Sequence, residues 1–336
     1  MYLAGWFAKR PEDEVKCVLC PHLCEIKSGH EGKCRVRINN HGNLYSKNYG
    51  EVAAIGLDPI EKKPLYHFYP KNSILSIGSY GCNLRCDFCQ NWQLAHQVSH
   101  GEYFSPKQML ELACRYMDEW ASIGLAYTYS EPSMWYEFIR DTAPLIEEKG
   151  MKNVLVSNGF LNKKPFREIL QHVHALNIDV KAFSEKFYKE NTGGFLKPVL
   201  DNCIIAKEEG RHLEITTLII PGLNDSQKEI ENLSKWLAAI DKNIPLHFSR
   251  YFPSYKMRIN ETPLETLEKA WAIAKEHLEF VYIGNAPSLK KADTYCPACG
   301  DILVWRRLYG TEVLFSDKGE CQKCGNKLVG TVINDL

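Results

Sequence analysis

The sequence predicts an α/β chain built on a barrel-type parallel sheet, with small cysteine-rich additions at both ends. Three observations carry this. Between about residues 71 and 288, short apolar runs alternate with longer amphipathic stretches, the mark of βα units. Eleven of the 13 cysteines among 336 residues fall into three tight groups instead of spreading along the chain. Hydrophobic residues at 45% and aromatics at 11% are ample for a sizeable core and argue against disorder.

Residues 1–70 hold the first cysteine group and end in the Pro- and aromatic-rich stretch 58-DPIEKKPLYHFYP-70. Residues 71–288 form the barrel segment, with strands expected near 73–78, 123–129, 153–158, 176–182, 213–220, 246–252 and 280–284. Helical patterns lie between them. In 106-PKQMLELACRYMDEW-120 a proline sits at an early helical position and apolar residues recur every three or four. Others run over 133–150, where the internal Pro144 predicts a kink, over 225–240 and over 262–278. Six or seven such units with right-handed crossovers suit a partial or complete barrel better than a short doubly wound sheet. Residues 289–336 are a short Cys-rich tail with β-like runs such as 302-ILVW-305.

Zero formal net charge leaves no bulk cationic footprint for nucleic acid. The opening MYLAGWFAKRPEDEVK turns charged too early for a secretory h-region, and no apolar run reaches the ~18 residues of a membrane span. A cytosolic, soluble protein is therefore expected. Clustered Cys-x-x-Cys spacing in a reducing compartment reads as metal sites, not disulfides. Cys114 and Cys203 stand alone and read as ordinary core residues.

In such barrels the reactive groups project from the C-terminal ends of the strands. The strand ends here carry Cys82 to Cys89, Glu131, Asn158, Asp179 with Lys181, Thr216 with Thr217, and His247 with Arg250. Any one of these alone could be a polar cap. All of them together point to one rim.

The loop 79-SYGCNLRCDFCQNW-92 spaces its cysteines as C-x3-C-x2-C. Thiolates suit zinc, copper(I) or iron–sulfur clusters. A structural zinc wants four protein ligands, and a cubane normally takes four cysteines, so three leave one position for a small molecule. The loop resembles the signature of the radical S-adenosylmethionine (radical SAM) enzymes, C-x3-C-x-aromatic-C, with Phe88 as the aromatic. The resemblance implies a partial (β/α)6 TIM-like radical SAM barrel. It implies a [4Fe–4S] cluster on Cys82, Cys86 and Cys89 with SAM on the open iron, and reductive cleavage of SAM, usually to a 5′-deoxyadenosyl radical. It places Phe88 beside the adenine.

Further stretches support it. 128-TYSEP-132 resembles the family's T-G-G-E-P, with Tyr129 and Ser130 in place of the two glycines and Glu131 kept as partner for the SAM ammonium. 156-VSNGF-160 is similar to the family's third-strand segment and brings Asn158 near SAM. 178-IDVKA-182 resembles the D-x-K of glycyl-radical activating enzymes, which implies that Asp179 and Lys181 hold the SAM ribose or carboxylate. 219-IIPGLND-225 looks like the segment that seats the adenosine, and His247 and Arg250 are offered at the sixth strand. Over nearly the whole chain, the opening CVLCPHLC with GKCRVR, then DPIEKKPLYHF, GCNLRCDFCQNW, TYSEPSMWYEF, PLHFSRYFPSYKM, VYIGN and YCPACG together resemble the AmmeMemoRadiSam-system radical SAM enzymes, relatives of pyruvate formate-lyase activating enzyme.

At the tail, Cys296, Cys299, Cys321 and Cys324 occur as CPACG and CQKCG, a zinc-ribbon or rubredoxin pattern. Four ligands close the coordination sphere, so a structural zinc is expected, with a rubredoxin-like iron as the alternative. Near the start, Cys17, Cys20, Cys24 and Cys34 suit zinc or an auxiliary iron–sulfur cluster, with zinc the first choice. His22 and His30 lie close by and are expected to be exposed or packed, since four cysteines suffice.

The function expected is therefore a radical SAM enzyme. It would act on an unidentified small molecule, peptide or macromolecule and draw electrons from a low-potential donor such as ferredoxin or flavodoxin. One alternative is an activating enzyme for a glycyl-radical protein. A remote alternative is a non-catalytic electron-transfer or metal-binding adaptor, which would not need polar residues arrayed on one rim.

Overall fold

The computed structural model describes residues 1–97, 101–307 and 310–332. Its centre is one eight-stranded sheet. Strand β1 (Ala54–Pro59) runs antiparallel to β2 (Ser73–Gly78). Then β3 (Ser122–Tyr127), β4 (Lys152–Ser157), β5 (Ala175–Asp179), β6 (His212–Ile219), β7 (Leu246–Arg250) and β8 (Val281–Gly284) follow in chain order, each parallel to its neighbour. Among the described residues the two edges, β1 and β8, do not pair with each other. The strand that periodicity does not announce is β1, which lies in the stretch read as an N-terminal addition.

The crossovers are α1 (Pro106–Trp120), α2 (Tyr136–Glu148), α3 (Lys163–Leu170), α4 (Leu196–Glu208), α5 (Gln227–Asp241) and α6 (Leu264–Lys275). Helix α1 starts where the sequence places it. Ser105 caps it and closes a capping box with Gln108, and Pro106 occupies the first turn. Helix α2 runs on through Pro144.

Strand β3 is buried at every position, as expected for a parallel strand covered on both faces. Its Gly124 has φ +151°, and a Cβ there would meet the Lys152 carbonyl at 2.0 Å. Only glycine lets β4 approach where the β2–β3 register shifts between Ser122 and Leu125.

The sheet has apolar layers on both faces. One face carries Leu75, Ile77, Leu125 and Tyr127 against helix residues such as Met109 and Phe138. The other carries Ile74, Ala126, Val154 and Ala175, and is filled by Ile60, Leu65, Phe68 and Tyr69 from the segment between β1 and β2. Glu214 of β6 anchors that segment. Its carboxylate accepts from Tyr66 N and His67 N at 3.0 and 2.7 Å, and from His212 Nε2 and His247 Nε2 at 2.9 and 2.6 Å. These donors hold Glu214 well below the usual carboxylate range although burial opposes it. Arg306, from the tail hairpin Ile302–Arg307 and Gly310–Val313, donates to Tyr66 O at 2.7 Å and so ties the tail to the same place.

The N-terminal residues fold into two small antiparallel sheets, one of Phe7–Lys9, Val15–Cys17 and Glu25–Ile26, the other of Tyr2–Leu3, Asn43–Ser46 and Arg37–Asn40. They dock on α2 through a fork of Arg37 on Glu137, with Nη1–Oε1 at 2.9 Å and Nη2–Oε2 at 2.7 Å. Both side chains are essentially dry, 1% and 0% exposed.

Removing one partner of such a pair strands a buried charge. Glu137→Ala is expected to lower the unfolding free energy by about 3–5 kcal/mol in urea denaturation. A loss within about 0.5 kcal/mol would mean that the pair does not hold the N-terminal sheets down.

A second expectation concerns acid. Burial holds His67 down to about 3 from its ordinary 6.5. The unfolded chain then takes up the proton first, so this site destabilises the fold progressively as pH falls from about 6.5 towards 3 and has no effect above that window. His67→Gln is expected to flatten the drop in thermal midpoint between about pH 7.5 and pH 5. An equal drop in both proteins would remove His67 as its cause.

Candidate active site

The three-cysteine loop leaves β2 at Gly78 and is held from several sides. Gly81 N donates to Leu94 O at 2.9 Å, Arg85 N to Thr192 O at 2.7 Å and Asp87 N to Asn191 O at 3.1 Å. Asn83 is its buried pin. Its Nδ2 donates to Phe160 O at 2.6 Å, and its Oδ1 accepts from Asn158 Nδ2 at 2.9 Å. The same Asn158 amide lies 3.7 Å from Cys82 Sγ. A sequence of small turns thereby becomes a rigid platform for three thiols.

Cys82, Cys86 and Cys89 line one cavity of about 560 Å³ at the C-terminal ends of the parallel strands. Burial pushes the Cys86 thiol up to about 12 and raises Cys82 and Cys89 as well. Ligation needs thiolates, so these sulfurs suit a site where metal charge offsets the cost of ionising them.

Phe88, Ser130, Glu131, Asn158, Asp179 and Lys181 line the same cavity, each at the strand end where the sequence places it. Lys181 Nζ sits 3.0 Å from Asp179 Oδ2. Burial works against its charge, but Asp179 and the neighbouring Cys86 raise its pKa and keep it cationic. Glu131 is tied into the protein on both oxygens. Oε1 accepts from Ser157 Oγ at 2.7 Å and Ser133 N at 3.0 Å, and Oε2 accepts from Asn158 N at 2.8 Å. It therefore clamps the ends of β3 and β4 together. Ser130 Oγ donates to Ser79 O at 2.6 Å and joins the following turn to the cysteine loop.

Two expected residues lie elsewhere. His247 does not line the cavity: it is 4% exposed and donates to Glu214, one layer deeper. Arg250 lies outside the lining too, donating to Thr262 O at 2.9 Å and Glu261 Oε1 at 2.7 Å. Depth along the strand explains the first and the period of the strand the second. Ser249, two residues past His247, lines the cavity, while Arg250 falls on the opposite face. Thr216 lines the cavity as expected, and its buried hydroxyl has no partner within the protein.

The sequence gives little notice of Asp58, Lys62 and Lys63, which reach the cavity from β1 and the turn after it. Asp58 Oδ2 accepts from Lys63 Nζ at 2.7 Å and from Tyr129 OH at 2.9 Å. Burial would raise the Asp58 carboxyl, but these donors and Lys62 hold it down at about 2. Tyr129 stands at φ +69°, a left-handed conformation that explains why the family stretch carries glycine at this place. A Cβ on Gly78 would lie 3.0 Å from the Tyr129 Cβ, and one on Gly56 would lie 3.1 Å from its hydroxyl, so two glycines make room for it. The sequence signal at this place is Tyr129 itself, standing where the resembled stretch has glycine.

At the tail, Cys296, Cys299, Cys321 and Cys324 bring their sulfurs within 4.8 Å of one another, so this group can hold a metal ion. Gly300 and Gly325, at φ +74° and +73°, turn each knuckle. Cys17, Cys20, Cys24 and Cys34 line a second, small cavity. His22 is half-buried beside them and donates from Nε2 to Asn83 O at 2.7 Å, whereas His30 is exposed. Cys203 is buried in the core, as expected, and Cys114 is partly buried against it.

Comparisons with known proteins agree with this arrangement. The Radical SAM superfamily profile matches residues 76–237. A Methanocaldococcus jannaschii protein described as uncharacterized is 39% identical over 334 residues, covering 97% of this chain and 98% of that one. The pyruvate formate-lyase-activating enzyme of Clostridium pasteurianum is 30% identical over 169 residues, 49% of this chain and 67% of that one. In fold, the chain resembles a radical SAM methyltransferase from Sphaerobacter thermophilus, with TM-score 0.52 and 15% identity over 70% of this chain and 71% of that one. It also resembles Streptococcus suis SuiB bound to S-adenosylmethionine, with TM-score 0.51 and 17% identity over 65% of this chain and 49% of that one. No described helix is long and apolar enough to cross a membrane. The chain belongs to the radical SAM superfamily and is an S-adenosylmethionine-dependent iron–sulfur enzyme.

Proposed function

We propose that Cys82, Cys86 and Cys89 bind three irons of a [4Fe–4S] cluster, that SAM occupies the open iron, and that the substrate enters above them through the mouth of the cavity. The convergence of three thiols, the Asp179–Lys181 pair and the unpartnered Thr216 hydroxyl on one cavity carries this reading. The donors fit the group. They are soft, and the described residues contain no set of three sulfurs here as close as a single ion would draw them. When bound, the cluster and SAM supply one-electron cleavage of a carbon–sulfur bond and so an organic radical.

The chain's own residues bind and orient. Lys181, kept charged by Asp179, is the partner for the SAM carboxylate. Phe88, packed against Phe187 with ring centroids 5.8 Å apart, gives an apolar wall for the adenine. Glu131 positions Asn158 rather than reaching the ammonium with a free oxygen. Asp58, Lys63 and Tyr129 form the polar edge that meets the substrate. The substrate is a small molecule, a peptide or a macromolecule. A second reading, activation of a glycyl-radical protein, is favoured by the relatives named as pyruvate formate-lyase-activating enzymes.

The same proposal covers the finer architecture. The parallel sheet and its helices serve as a partial (β/α)6 barrel over residues 71–288. The units 1–70 and 289–336 are additions, the first best ended near residue 53 because Ala54–Pro59 already pairs in the sheet. Zinc is the metal assigned to the tail. The sulfur pairs Cys296–Cys324 and Cys299–Cys321 stand 3.7 Å apart. Tetrahedral zinc with Zn–S bonds of about 2.3 Å spaces sulfurs by about 3.8 Å. Thiol-rich sites and a low-potential donor such as ferredoxin or flavodoxin fit a cytoplasmic setting.

Anaerobic incubation with SAM and a reductant should release 5′-deoxyadenosine or another SAM fragment. Absence of any fragment from iron-loaded protein would sink the reading. Cys86→Ala should abolish this cleavage while the tail keeps its metal, by elemental analysis. Joint loss of both would show that the sites are not independent. Lys181→Met should weaken SAM binding by roughly tenfold or more in anaerobic calorimetry. Unchanged affinity would remove Lys181 from the SAM site.

A further inference from the structure

We infer that Cys17, Cys20, Cys24 and Cys34 hold a second iron–sulfur cluster, not zinc, and that it is the port through which an acidic protein reductant feeds electrons to the barrel site. The inference rests on the radical SAM reading for the electron's destination, but not for the metal's identity.

The four thiols line one small cavity whose remaining walls include Leu19, Ile26 and Met134. Cys17, Cys20 and Cys34 are buried, and Cys24 is half-buried. Main-chain groups turn towards the sulfurs: Leu19 on Cys17, His22 on Cys20, and Val36 with Arg37 on Cys34. Amide dipoles aimed at thiolates are how proteins hold both zinc and iron–sulfur centres.

Spacing separates the two. Among the described residues, the tail cysteines form the one set of three or more metal-ligating side chains whose donor atoms all lie within 4.8 Å. Neither the N-terminal four nor the barrel three meet that limit. A single tetrahedral ion draws its sulfurs to about 3.8 Å. A cluster places several metal atoms between its thiolates and spaces them more widely. The chain thus has two classes of cysteine site, and the N-terminal four fall with the barrel three.

An independent observation points the same way. Arg37 lines this cavity, is 1% exposed, and spends its two terminal nitrogens on Glu137, yet its Nε has no partner. A buried donor left free beside four sulfurs costs stability unless an acceptor arrives. The bridging sulfides and thiolates of an iron–sulfur cluster are such acceptors. The net negative charge of a four-thiolate cluster also suits the one guanidinium at its edge.

The route onward is short. His22, beside Cys20, donates to Asn83 O. Asn83 directly follows Cys82, and only Leu84 and Arg85 separate it from Cys86. A side chain at Gly81 would lie 3.3 Å from Cys34 O. On the outer side, exposed Lys33, Arg35 and Arg85 gather, and Arg85 donates to Lys33 O at 3.0 Å. This cationic edge suits an acidic donor such as reduced flavodoxin or ferredoxin. The donor loses one electron, the N-terminal cluster gains it, and the barrel cluster takes it in turn, returning the first to its oxidised state.

The test counts metals in holoprotein reconstituted anaerobically with iron, sulfide and zinc, for wild type, Cys20→Ala and Cys24→Ser. Wild type should hold about eight irons and one zinc, and each variant should lose about four irons while keeping its zinc. About four irons with two zincs in wild type would overturn the inference, and that count needs no variant to fold. The relay has its own readout. In Cys24→Ser the ratio of flavodoxin-driven to dithionite-driven SAM cleavage should fall roughly tenfold or more, because the small reductant does not need the port. An unchanged ratio would overturn the relay. Wild-type failure to cleave SAM with dithionite would instead strike the barrel reading, leaving the metal count to decide this one.

Discussion

Asn83 is the residue through which the parts of this molecule are held in register. Its side chain joins the cysteine loop to the end of β4 at Phe160 and Asn158, and its carbonyl takes the hydrogen bond of His22 from the N-terminal segment. Asn158 N in turn is fixed by Glu131, which also binds the β4 residue Ser157. A continuous chain of half-buried and buried hydrogen bonds therefore runs from His22, among the N-terminal cysteines, through the three-cysteine loop to the tops of β3 and β4. Buried polar groups of this kind are costly when unpaired, so each fixes the next.

The fold was legible because parallel strands buried on both faces leave continuous apolar runs, and the helices between them carry strong caps such as Ser105–Gln108. What stayed hidden depends on tertiary pairing. Strand β1 carries a Gly, a Pro and an Asp, and reads as a linker until it pairs with β2. That pairing brings Asp58 and Lys63 to the cavity from before the first signature cysteine, a placement that no local period encodes.

Within the candidate site, the strand ends were legible, while depth along a strand and the face a residue takes were not. Asp179, Lys181, Asn158 and Thr216 arrive at the cavity, whereas His247 sits a layer below and Arg250 on the reverse face. Residue type misled in both cases, since Ser249 is the less conspicuous residue but has the parity that Arg250 lacks and the height that His247 lacks. The same lesson applies to the cysteines. All three groups look alike as Cys-x-x-Cys spacing. The distance between sulfurs divides the close-set tail from the two wider sites, and an ion and a cluster differ in that dimension.

The central claim is that three thiols leave one iron open and that SAM fills it. The most direct measurement is the electron paramagnetic resonance spectrum of the reduced protein, followed in the component that Cys86→Ala lacks. Adding SAM should change the shape and g-values of that component, because a new ligand joins the cluster. A spectrum unaltered by saturating SAM would contradict the account.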